Sequence, residues 1–206
     1  LKEIANVSTG LKVYQVGKGI PPQKNYEKEN RVFHSNKKEN SYYEKYLEGK
    51  DVQRYYLGWS KKYLKYGDFL AEPRKSVPYK GSRILIRQIP SHLPYCINGI
   101  YTEKFCYNDI NSMVVFCNDT SISLKIVLAI INSKLLSFWF DKKFDKFQRG
   151  IFPQFKVKEL AKFPIKKIDF SNTQEKKKHD NRLEGKRVKY IPHPTIPKTM
   201  IEVIIE

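Results

Sequence analysis

A chain of 206 residues with 40% apolar and 14% aromatic content can bury a sizeable core, which excludes intrinsic disorder and fits one domain with or without an appendage. Its 39 Lys and Arg outnumber 21 Asp and Glu, for a net charge of +18. Long-range electrostatics then favours a polyanionic partner, nucleic acid foremost, over the plainer reading of a merely soluble Lys-rich protein. Cys96, Cys106 and Cys117 lack CxxC spacing and the four histidines are scattered. Neither a disulfide framework nor a zinc site is suggested, the cysteines are expected as small buried hydrophobes, and the setting expected is a reducing cytoplasm.

Residues 1–23 are punctuated by Gly10, Gly17, Gly19 and Pro21-Pro22, a strand-and-turn texture. Residues 24–45 are polar and charged, a loop with a short helix near 42–46. Over 46–74, aromatics alternate with cations in runs too brief for helices, divided by Gly49, Gly58, Gly67 and Pro73. Residues 83–89 form the clearest strand, closed by Pro90, and 95–101 and 112–117 are further strands rich in Val, Ile, Phe and Tyr. Short strands parted by turns predict antiparallel pairing.

The texture then changes. Asp119, Thr120 and Ser121 offer capping oxygens to one long helix over about 122–140, apolar nearly all round and therefore buried. Lys125, Asn132 and Lys134 interrupt it too often for a membrane span. Pro153 and Pro164 bracket a strand and a helical turn. From about residue 171 the chain becomes a peripheral tail with Lys176–Lys178 and Pro192, Pro194 and Pro197, in which 201–205 suits one added strand. The expected class is α+β: a mostly β N-terminal part joined to an α+β part with one long buried helix, over residues 1–170, followed by the tail 171–206. The chain opens at Leu1 without Met or a secretory leader, so a fragment of a longer protein is expected.

Motifs for chemistry are missing. Gly17-Lys18-Gly19 lacks the remainder of a phosphate cradle, no HxxxH and no Asn/Asp-Pro-Pro-aromatic tetrapeptide is present, and no paired acid-x-Lys motif of the nuclease type stands out. A free-standing enzyme is disfavoured, and no cofactor or metal is expected on this chain. Candidate DNA contacts fall in four places. Lys50 and Arg54 follow a turn glycine and suit phosphates, with Asp51 orienting one of them, unless they are surface ion pairs. Arg83 and Arg87 share one face of the predicted strand and Gln88 the other; Arg matches guanine and Gln adenine, unless an Arg is tied to Glu72 or Asp68. Arg74 follows Pro73 in a turn of opposite charges. Lys142, Lys143 and Arg149 end the long helix beside Phe152-Pro153, either a phosphate clamp next to an apolar wedge or a solvated helix end.

Six segments in order carry a family resemblance: residues 10–22 (GLKVYQVGKGIPP), 46–55 (YLEGKDVQRY), 63–74 (YLKYGDFLAEPR), 83–88 (RILIRQ), 128–135 (LAIINSKL) and 152–165 (FPQFKVKELAKFPI). The chain resembles the TaqI-like C-terminal specificity domain of adenine-specific DNA methyltransferases and of fused type IIG restriction enzymes. The resemblance implies a domain that closes double-stranded DNA against a separate catalytic domain upstream in the same polypeptide. S-adenosylmethionine and any nuclease would belong to that upstream part, while this domain selects the sequence in which an adenine is flipped and methylated. The tail departs from the family pattern. The rival readings are half of a type I specificity subunit, for which long coiled helices are missing, and a free-standing nuclease.

Overall fold

Arg83–Arg87 (β7) shows why the chain folds around sheets. Ile84, Leu85 and Ile86 are fully buried, and since successive side chains alternate, both faces of the strand must be covered. The computed structural model describes residues 1–117, 123–144 and 155–165, together with the backbone of 187–192 and 200–205. In it β7 is central, paired antiparallel with Ser112–Phe116 (β10) on one side and Gly99–Thr102 (β8) on the other. Asn6–Thr9 (β1) pairs antiparallel with β10, giving the order β1-β10-β7-β8.

One face of this sheet presents Ile84, Ile86, Met113 and Val115 to the helices Leu124–Ile131 (α2), Lys134–Lys143 (α3) and Val157–Leu160 (α4). Phe140, Phe155 and Phe163 meet there, the Phe140 and Phe155 ring centroids 4.9 Å apart in an edge-on contact. The other face turns Leu85 and Val114 toward Leu47, Val52 and Cys106. Leu47 belongs to a second sheet of His34–Ser35 (β2), Lys62–Lys65 (β6), Tyr43–Leu47 (β3) and Tyr107–Asn108 (β9). Its strands pair antiparallel except for the parallel β3–β9 contact, one departure from the expected pattern. Tyr46, Leu64 and Tyr107 enter a further core with Leu11, Val13, Phe33 and Leu70. The chain reaches that core through Gly10, where a Cβ would lie 2.1 Å from the Asp109 carbonyl oxygen, so only glycine permits the crossing. A small hairpin, Val52–Gln53 (β4) and Tyr56–Leu57 (β5), lies against β7 and β8.

Helices and strands are both present, as the α+β class requires, but three local expectations are corrected. Residues 43–46 belong to strand β3, not to a short helix, because Tyr43 and Tyr46 are buried by pairing and packing remote in sequence, and the short helix of the 24–45 stretch is Asn25–Glu29 (α1). Among the described residues no strand precedes α4: Phe155 gives its N–H to the Gln88 carbonyl, and the helical turn follows at once. The one long helix is instead two. Asn132, fully buried, turns its Nδ2 to the Gly99 carbonyl at 2.9 Å, and Ser133 Oγ accepts the Leu136 N–H at 3.1 Å as a fresh N-cap. Asn and Ser compete with helix backbone for hydrogen bonds, which makes them terminators here. Ser123 stands before α2 without a side-chain capping bond; Asp119, Thr120 and Ser121 lie outside the described residues. Cys96 and Cys106 are buried and Cys117 half-buried, and none of the three is in a disulfide.

The chain divides into two units, Leu1–Ile165 and Lys166–Glu206. In the second, Arg187–Pro192 (β11) pairs antiparallel with Met200–Ile205 (β12), so the strand expected over 201–205 forms and has a partner. No helix among the described residues is long and apolar enough to cross a membrane.

One half-buried titratable group stands in strand β2 of the second sheet. Tyr14 Oη accepts the Phe33 N–H and shares a hydrogen bond with His34 Nδ1, both at 2.9 Å, while His34 Nε2 is buried without a partner among the described residues. Burial first, then the Arg31 charge, pulls the His34 pKa down to about 4, while burial pushes Tyr14 up to about 12. A histidine kept neutral when folded costs stability once the unfolded chain protonates. The loss therefore begins near the ordinary pKa of about 6.5 and is complete below the folded value, amounting to at most about 3 kcal/mol. Urea unfolding followed from pH 7 to pH 4 is expected to show this fall, and His34→Phe to flatten it.

Candidate nucleic-acid interface

The strand proposed to read bases is built differently from what its spacing promised. Arg83 is fully buried. Its Nη1 donates to the Gly81 carbonyl at 3.0 Å, and Nη2 to the carbonyls of Lys104 and Cys106 at 2.8 and 3.3 Å and to Cys106 Sγ at 3.1 Å. Burial lowers the Arg83 pKa and raises that of the Cys106 thiol. Gln88, 1% exposed, donates to the Ile110 carbonyl at 2.6 Å and accepts from Lys156 Nζ at 2.8 Å. Both are therefore corrected from base readers to internal ties: the Arg83 Nη groups and the Gln88 amide are engaged within the protein, and Arg83 Nε is buried without a hydrogen-bond partner among the described residues. The anticipated partners of a structural Arg are also corrected, since Glu72 holds Arg74 and Asp68 holds Lys75. Arg87, two residues beyond the buried Leu85, is half-buried at the strand end, and its guanidinium has no hydrogen-bond or ion-pair partner among the described residues.

The turn after Gly49 is a single 3-10 turn, Gly49–Asp51. Asp51 does not orient a cation; its carboxylate accepts the Glu48 N–H at 2.8 Å and the Ser60 hydroxyl at 2.6 Å. Lys50 pairs with Glu48 at 2.9 Å on the surface, which raises its pKa and lowers that of Glu48. Arg54 has no acidic partner among the described residues. Its guanidinium lies over Tyr95 and Tyr55, 3.9 and 4.7 Å from the ring centroids, and its Nε donates to the Asn132 carbonyl at 3.2 Å.

Arg74, at φ 53°, is bound to Glu72, while Tyr79 Oη donates to the Pro73 carbonyl at 2.7 Å. It belongs to the environment of the second sheet and shares no contact with the Arg54 group. On α3, Lys142 is paired with Asp141 at 3.4 Å and lies 5.9 Å from the Phe138 ring centre; Lys143 is exposed. Arg149, Phe152 and Pro153 lie outside the described residues. The structure thus gathers Arg54 with residues not singled out as contacts, Tyr95 and Lys134, whose Nζ stands 5.4 Å from the Tyr95 ring centre. Of these, only the Asn132-Ser133 pair left a local signal, as a helix break that would bring Lys134 to a corner.

Against this geometry, the model of the TaqI-like C-terminal specificity domain matches residues 44–165, more than half of the chain. The chain belongs to that family. The match takes in five of the six resembling segments whole and leaves residues 10–22 outside. No curated protein matches the chain. As a TaqI-like specificity domain the chain serves DNA recognition in restriction–modification, and the described residues hold no cluster of three or more His, Cys, Asp or Glu placed for a metal ion.

The internal role assigned to Arg83 and Gln88 is open to measurement. Arg83→Ala strands several buried carbonyls and opens a cavity, and is expected to cost roughly 2–4 kcal/mol in urea unfolding. Gln88→Ala should cost about 1–3 kcal/mol, and Arg87→Ala less than about 1 kcal/mol.

Proposed function

We propose that this chain is the target-recognition domain of a bacterial type II or IIG restriction–modification enzyme, an adenine-specific DNA methyltransferase. The reading places the catalytic domain, with its S-adenosylmethionine, upstream in the same polypeptide and the whole enzyme in the cytoplasm. Duplex DNA is held between the two domains, and this chain supplies contacts and no chemistry. The observation that carries the proposal is the family match over residues 44–165, and the charge of +18 supports a polyanionic partner.

In this reading, sequence choice comes from side chains that remain free at the surface. Arg87 retains the reader role, because an unspent guanidinium at a strand end has both Nη groups to offer a guanine edge. Lys50 and Lys142 keep cationic tips at the surface beside their acids, and with Lys143 they serve phosphates without regard to sequence. Phe152-Pro153 keeps the proposed wedge role beside Arg149.

Fluorescence anisotropy of the chain with duplex oligonucleotides tests the partner. With roughly six phosphate contacts, affinity is expected to fall about 10³-fold between about 50 and 200 mM salt. Affinity indifferent to salt would contradict it. In the enzyme carrying the catalytic domain, Arg87→Ala should change which sites are methylated, and an unchanged site preference would remove Arg87 as a reader.

A further inference from the structure

We infer that Arg54, Tyr95 and Lys134 form a preformed clamp for one phosphodiester of duplex DNA, a sequence-blind anchor that sets the register of the domain on its target. The inference rests on the reading of duplex DNA as the partner and deepens it by naming a site.

Three contacts hold the Arg54 guanidinium. It stacks on Tyr95 at 3.9 Å and on Tyr55 at 4.7 Å, and its Nε is spent on the Asn132 carbonyl. The two Nη groups have no protein partner among the described residues. What remains available is the outer edge of a planar fork, the geometry that meets two oxygens of a phosphate. A long side chain ordinarily loses rotamer freedom on binding; here most of that ordering is complete beforehand.

The charge around the fork points the same way. Lys134 brings a second cation to Tyr95, is exposed, and joins no ion pair among the described residues. The acids nearest in sequence to Arg54 are engaged elsewhere, Glu48 with Lys50 and Asp51 with Ser60. By contrast, Lys38, Lys50, Arg74, Lys75 and Lys142 each have a carboxylate. Two cations held around one ring with no acid between them repel each other until an anion arrives.

Tyr55 adds an independent sign. It stands at φ 59°, a backbone region that favours glycine, in the two-residue turn between β4 and β5, with its N–H fixed on the Gly99 carbonyl at 2.9 Å. A 41% exposed aromatic ring maintained there at backbone expense marks a site that uses it, and its visible use is to pack on Arg54.

The experiment is a salt titration of duplex binding by the full chain, with several unrelated oligonucleotides and the variants Arg54→Gln, Arg54→Lys, Lys134→Gln and Lys38→Gln. Arg54→Gln and Lys134→Gln should each weaken binding several-fold on every duplex and reduce the slope of log affinity against log salt by about one; together they should reduce it by about two. Arg54→Lys should keep the slope and lose affinity, since charge remains and the fork does not. Lys134→Gln, on an exposed helix position, leaves folding intact and keeps the clamp testable if Arg54→Gln loosens the Asn132 contact. The clamp is refuted by wild-type affinity and slope in both variants, by an equal effect of Lys38→Gln, or by a loss confined to one duplex. Displacement of DNA by millimolar inorganic phosphate at matched ionic strength, lost in Lys134→Gln, would assign the site to a free anion instead. A wild-type chain that binds no duplex at any salt would instead sink the DNA reading itself.

Discussion

Asn132 is the residue on which the arrangement of the first unit turns. Its side-chain amide donates to the Gly99 carbonyl from a fully buried position, and its own carbonyl accepts Arg54 Nε. A helix, the edge strand β8 and the β4–β5 hairpin are thereby tied at one point. The close approach needs Gly99, where a Cβ would meet Asn132 Oδ1 and Leu128 Cδ1 at 3.0 Å. Such a tie is expensive to break, because an amide left buried without a partner carries its full desolvation cost. It also sets direction: α2 ends at Asn132, and α3 starts afresh on the Ser133 cap, carrying Lys134 toward the same ring that Arg54 covers.

The basic character of the chain divides by environment. Arg83 lies in the interior and satisfies carbonyl oxygens, so its charge does not reach the surface. Arg74 and Lys75 are matched to acids next to the second sheet. Arg54, Lys134, Arg87 and Lys143 remain without acids among the described residues. A net charge of +18 is therefore a statement about long-range attraction, while recognition falls to the few cations that the fold leaves unspent.

The aromatic content divides in the same way. Phe140, Phe155 and Phe163 cement the helices to the first sheet, and Phe33, Tyr46 and Tyr107 fill the core beyond the second. Tyr55 and Tyr95 instead hold a cation in place at the surface. The same residue type thus works as filler in one layer and as a positioning surface in another, and the difference is whether a cation or a carbon neighbour meets the ring face.

Periodicity and composition alone determined much of this protein. The run of Arg83–Arg87 declared a strand, the mixture of strands and helices declared an α+β class, and the excess of cations declared a polyanionic partner. Six ordered segments marked the family, because they are local strings that survive without knowledge of what they touch. Tertiary structure decided the rest. Arg83 and Gln88 had the right side chains at the right period to read bases, yet their partners come from Lys104, Cys106, Ile110 and Lys156, distant in sequence. The apolar run over 122–140 looked continuous because hydrophobicity does not show a side-chain amide bonding a strand 33 residues away. Period places a residue on a face; only the fold determines whether that face meets water, another chain segment or a ligand, since burial is a property of what packs on top.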